Sequence, residues 1–152
     1  MSTNPREPIL KPLSAYASPP TRPVYPIAVL LVEAAATLAA SQPFPWHHAV
    51  IPAAGYQVIR GVDGATWVAG IAALCLVMAA VFWRKPPEFY SKWSMGLIAF
   101  AATLGMFVDY INWMTRGAQL HVTPYFGPGF YIALAGTAIV VTAMVRTWFV
   151  RV

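Results

Sequence analysis

The chain has little charge. Only 10% of its 152 residues are Asp, Glu, Lys or Arg, against 59% hydrophobic and 14% aromatic, which is too few charges to solvate the surface of an ordinary globular domain. Cysteine is scarcer still. The single Cys75 lies in an apolar run and excludes an intramolecular disulfide framework, a CxxC redox pair and a thiolate metal cluster. Small helical thiol oxidoreductases that work with quinones are thereby disfavoured. Also missing are a Ser/His/Asp set and the arginine and asparagine motif of four-helix glutathione-transferring enzymes, which leaves a membrane enzyme as the third reading, behind a subunit and a transporter.

What is abundant is apolar sequence in long runs. Four segments stand out, at about 24–40, 65–83, 93–113 and 126–145. At a rise of about 1.5 Å per residue each spans about 25 to 30 Å, the hydrocarbon thickness of a bilayer. Aromatic residues mark the ends: Trp67 and Trp83, Trp93 and Trp113, Tyr131 and Trp148. The segments lack period-2 alternation, and in lipid the backbone must satisfy itself, so helices are expected. The predicted fold is all-α, an integral membrane four-helix bundle over 24–152. Ahead of it, 1–23 forms a cytoplasmic tail with Pro5, Pro8, Pro12, Pro19, Pro20 and Pro23, extended or disordered because proline forbids a regular helix. The first segment ends in LAASQ, like a cleavage region, yet its leader is long and proline-rich and a carboxylate interrupts its apolar core. It reads as a membrane helix and not as a removable signal.

Charge sets an orientation. Arg6, Lys11, Arg22, Arg84, Lys85, Lys92, Arg146 and Arg151 fall on one side of the segments, and Arg60 and Arg116 on the other. Both termini and the loop RKPPEFYSK are therefore predicted to be cytoplasmic in a multi-pass cell membrane protein, bacterial inner membrane being the expected location. The net charge of +5 is a topology signal, with no nucleic-acid partner implied.

The first segment, PIAVLLVEAAATLAA, contains the most pointed question. Glu33 sits near its middle, where a charged carboxylate is costly unless protonated, paired or hydrated. Thr37 is one turn away on the same face, and no basic residue of the chain is expected at that depth. Glu33 and Thr37 are the candidates for binding a proton or touching a partner. In the third segment Ala101 and Gly105 continue into Asp109, Asn112 and Arg116, a polar seam spaced i, i+3 and i+7. Small residues also recur at four-residue spacing in Ala65, Ala69 and Ala73 and in Gly129, Ala133 and Thr137, as helices in close approach require.

The outer loops are apolar for linkers. Phe44, Trp46 and Tyr56 in loop one are expected to lie on the membrane face or at a partner interface. Asp63, between Gly61 and Gly64, is placed to cap the second helix, and Pro124, Pro128 and Gly129 to fix the start of the fourth. His47 and His48 are adjacent, about 100° apart if helical, and cannot form the i, i+4 pair of a zinc helix. A site uniting one of them with His121 and Asp63 would need two loops to meet. No metal and no cofactor is expected.

The stretch VEAAAT, with its glutamate in the first of four helices, resembles the first helix of small multidrug resistance transporters. That resemblance implies a small proton-coupled transporter in which Glu33 alternately binds a proton and a cationic substrate; the long leader and the loops differ from that family. More loosely, the whole chain is similar to small four-helix bacterial membrane proteins of uncharacterised role. The residues themselves favour a non-catalytic accessory or structural subunit of a larger respiratory, photosynthetic or transport assembly. Its partners would be the lipid bilayer and other membrane subunits.

Overall fold

The computed structural model describes residues 25–51, 55–119 and 121–149; the tail expected over 1–23 lies outside the described residues. Most of the described chain is helical. The elements in order are α1 (Tyr25–Ser41), β1 (Pro45–Ile51), β2 (Gly55–Arg60), α2 (Gly61–Gly64), α3 (Trp67–Arg84), α4 (Phe89–Gln119), β3 (Tyr125–Phe126) and α5 (Pro128–Phe149). By length and composition α3, α4 and α5 could each cross a membrane. α1, at 17 residues, is a shorter apolar helix.

The long helices occupy the expected segments, with one large difference in extent. α4 runs for 31 residues, about 46 Å at the helical rise, well beyond the apolar window 93–113. Its ends hold because polar residues satisfy them. At the start the Glu88 N–H donates to Ser91 Oγ, whose hydroxyl donates back to the Glu88 carbonyl, both at 2.8 Å. At the finish His121 adopts φ 53°. Its N–H donates to the Ala118 carbonyl and the Val122 N–H to the Gly117 carbonyl, the double bond that closes a helix on a left-handed residue. His121 thus serves as a helix stop.

α1 packs along α3 on one flank and α5 on the other, and α4 lies against α5 and α3. The inner face of α1 is Ile27, Ala28, Leu31, Ala34, Ala35 and Leu38, all buried, at the spacing of a helical core stripe. α5 approaches it closely: a Cβ on Gly136 would meet Leu38 Cγ at 2.8 Å. Gly129, Ala133 and Thr137 lie on that buried face, as their spacing suggests. The other small-residue stripes do so only in part, Ala65 being buried. Ala69, Ala73 and Ala101 are exposed, because α3 buries the ridge of Val68, Ile71, Ala72, Cys75, Met78, Ala79 and Phe82 instead. Gly105 serves a different end and receives the Trp67 ring, 2.7 Å from where a Cβ would stand.

The all-α expectation omitted a sheet. Between α1 and α3 the chain makes the antiparallel pair β1 and β2, and β3 joins the other edge of β1, giving the order β2-β1-β3. Pro43 and Pro45 stop α1 from continuing, since proline lacks the amide hydrogen and disfavours helix in the residue before it. Asp63 belongs to the single turn α2 and is exposed. The N-cap of α3 is Thr66, without a side-chain bond, so Asp63 does not cap that helix. Pro128 opens α5, where its missing N–H costs nothing.

Candidate functional site

The sheet carries one side chain to the helices that spacing alone did not connect to them. A register shift between Pro45 and His47 places both Trp46 and His47 inward, at 1% and 6% exposure, because an extra residue in a strand breaks its alternation. His47 Nε2 stands 2.9 Å from Asp109 Oδ2 of α4. The two form an ion pair when the imidazole is protonated, and Asp109 Oδ2 has no hydrogen-bond partner. The imidazole stacks on Trp113, centroids 4.6 Å apart at 25°, and meets the edges of Phe126 at 5.7 Å and Trp46 at 6.3 Å. His47 Nδ1 and Trp113 Nε1 are buried without a hydrogen-bond partner. One donor, one acceptor and one group able to be either are thus gathered in an aromatic setting where β1, β3, α4 and α5 converge.

Residues of the predicted polar seam separate in space. Asp109 is half-buried and meets the sheet, while Asn112 and Arg116 are exposed. The inward face of α4 passes through Met106, Trp113 and Gly117, leaving Asp109 at its margin. The i, i+3, i+7 spacing could not say that a histidine from the first loop would meet Asp109. Asp109→Asn is expected to weaken the fold modestly, by about 1 kcal/mol, the worth of one polar contact. The measurement is thermal unfolding in detergent. Lost transport with unchanged unfolding would contradict this structural role.

Trp46 is corrected from an interface candidate to a core residue. Its Nε1–H donates to the Ser41 carbonyl at 3.0 Å, and its ring lies edge-on to Phe130 at 6.1 Å. It faces inward because the shifted register turns it there. Phe44 is exposed. Tyr56 is in β2, with its side chain outside the described residues. Among the described residues no three or more His, Cys, Asp or Glu side chains converge, and His121, His47 and Asp63 occupy separate places.

Glu33 is on the outer face of α1, exposed beside Val29, Val32 and Ala36. Thr37 donates its hydroxyl to the backbone carbonyl of Glu33 at 2.8 Å, so it braces the helix and leaves the carboxylate unengaged. Among the described residues the carboxylate makes no ion pair. Glu33 and the His47–Asp109 pair are two separate features, one outward in mid-helix and one inward at the sheet.

No protein-family model, curated protein or solved structure matches this chain. The likeness to small multidrug resistance transporters therefore stands on VEAAAT alone.

Proposed function

We propose that this protein is a non-catalytic subunit of a larger membrane assembly, a four-helix membrane bundle that docks through the outer face of α1. The observation behind this reading is the exposed position of Glu33. A carboxylate turned toward hydrocarbon is costly by at least a few kcal/mol when charged, and it is tolerated where a neighbouring protein supplies a hydrogen bond or a cation. Small side chains around it, Ala36 and Ala40, are also exposed and permit close approach of another helix. The three apolar helices of spanning length support the membrane location, and the bias of basic residues supports cytoplasmic termini. In that orientation a cysteine placed near Glu88 resists an impermeant outer-face reagent, and one near Gln119 is labelled; the reverse labelling would invert the topology.

The competing reading, a proton-coupled transporter, makes an opposite demand on Glu33. In a subunit, Glu33→Gln keeps size and hydrogen bonding and is expected to leave the assembly intact. Glu33→Ala is expected to loosen it by about 1 kcal/mol, roughly fivefold in partner retention. Both variants are compared with the parent, at matched expression, for retention of partners after mild-detergent purification and for proton-driven flux in vesicles. Loss of flux in the glutamine variant with retention unchanged would replace the subunit by the transporter.

A further inference from the structure

We propose that the trough at the end of α3 binds the headgroup and one acyl chain of an anionic phospholipid. The inference rests on the membrane reading above. The trough has a volume of about 410 Å³ and is walled by Val77, Ala80 and Val81 along α3 and by Arg84 and Lys85 where that helix stops. That volume lies within the range of small-molecule sites. Val77, Ala80, Val81 and Arg84 are spaced i, i+3, i+4 and i+7, one outward face of a helix, and all four are exposed. In a continued helix Lys85 would point about 100° away from Arg84. Pro86 prevents that, because it disfavours helix in the residue before it. Lys85 accordingly leaves the helix extended, at φ −137° and ψ 146°, with its N–H donating to the Val81 carbonyl at 2.9 Å. Both cations then border the same trough.

Charge selects the head of the ligand. The last turn of a helix carries partial negative charge, so an anion is held there only by full cations, and Arg84 and Lys85 supply two. Among the described residues neither is in an ion pair. A guanidinium matches two oxygens of a phosphate in its plane, and an ammonium adds a point charge. A zwitterionic headgroup would bring its own cation against this pair, which a headgroup of net negative charge does not. The apolar wall selects the tail. From Arg84 back to Val77 is about 10 Å along the axis, leading from the helix end into the apolar length of α3. Val77, 60% exposed, and Val81, 39%, offer that surface to a hydrocarbon chain. Free phosphate would use the cations and leave the wall bare; a phospholipid uses both.

The test is native mass spectrometry of the full chain in mild detergent, titrated with phosphatidylglycerol and with phosphatidylcholine of the same acyl chains. Retention of one phosphatidylglycerol per chain is expected, at a concentration about tenfold below that needed for phosphatidylcholine. Arg84→Gln and Lys85→Gln are each expected to weaken it about fivefold, the worth of one basic side chain near an anionic surface, with phosphatidylcholine unaffected. Arg146→Gln removes an exposed cation of α5 that does not border the trough, and is expected to change nothing. Val81→Trp, which fills the trough from an exposed position, is expected to abolish retention while the circular dichroism is kept. Equal retention of the two lipids by the parent would overturn the proposal, as would an equal loss in Arg146→Gln, or displacement of the lipid by inorganic phosphate at equal concentration. Release of the chain from native membranes by an alkaline wash would refute the membrane reading itself. A chain that stays in the membrane without distinguishing the two lipids refutes this site alone.

Discussion

Trp46→Ala is expected to destabilise the protein by about 3–5 kcal/mol, the range for truncating a fully buried tryptophan. The indole is 1% exposed and joins three parts of the chain. Its N–H satisfies the last carbonyl of α1, that of Ser41, at 3.0 Å. Its ring lies against Phe130 of α5, and its Nε1 would be only 2.5 Å from a Cβ on Gly61, where β2 hands over to α2. Removing it leaves a cavity and takes from the Ser41 carbonyl the shorter of its two donors, the Phe44 N–H at 3.3 Å remaining. Trp46→Phe separates the two costs, since it restores much of the apolar volume and loses only the indole hydrogen bond, at about 0.5–1.5 kcal/mol. Denaturant titration in detergent, followed by circular dichroism, measures both. An alanine variant within about 1 kcal/mol of the parent would show that the sheet is not anchored in this way.

Gly129→Ala should be nearly as damaging, by about 2–3 kcal/mol, the cost of forcing atoms into a filled site. A methyl there would stand 2.5 Å from Trp46 Cδ1 and 2.9 Å from the carbonyl oxygens of both Phe44 and Pro45. Two of those three neighbours are backbone, and the backbone is tied: the Gly127 N–H donates to the Trp46 carbonyl at 2.8 Å. The obstruction therefore cannot be relieved by turning a side chain. Gly70→Ala in α3 is the control. Nothing lies within 4 Å of its Cβ position, and alanine there is expected to be neutral or to stabilise by up to about 1 kcal/mol through helix propensity. Equal behaviour of the two variants in the same denaturation assay would contradict the close approach of α5 to β1.

Apolar length made the helices legible, and that signal is local: α3 and α5 end within a few residues of the expected limits. α4 was underestimated because both of its extensions, Phe89 to Lys92 and Met114 to Gln119, carry polar residues, and a hydropathy window sees only the apolar part of a helix. The sheet was illegible for a different reason. In β1 the shifted register buries Trp46 and His47 in succession, which erases the alternation that identifies a strand, and β3 is two residues long. Glu33 was conspicuous because it is the one charge in an apolar run. Its outward position could not be read, since α1 is apolar on nearly every side and its sequence does not distinguish a face packed on the rest of the chain from an exposed one. The contact of His47 with Asp109 joins residues far apart in the chain, with no spacing to announce it.

β3 closes the sheet from the far side of two helices, and this has a consequence for how the chain is made. During synthesis β1 and β2 can meet as soon as Arg60 is available, and α1 can find α3 soon afterwards. The second edge of β1, and the flank of α1 that receives α5, stay uncovered until the last helix is delivered. Over that interval the nascent protein presents an open strand edge and bare apolar surface, the two features that invite wrong association. The sequence from Trp67 to Gln119 is thus also a delay, and the safety of the growing chain depends on what shields β1 until Tyr125 and Phe126 arrive.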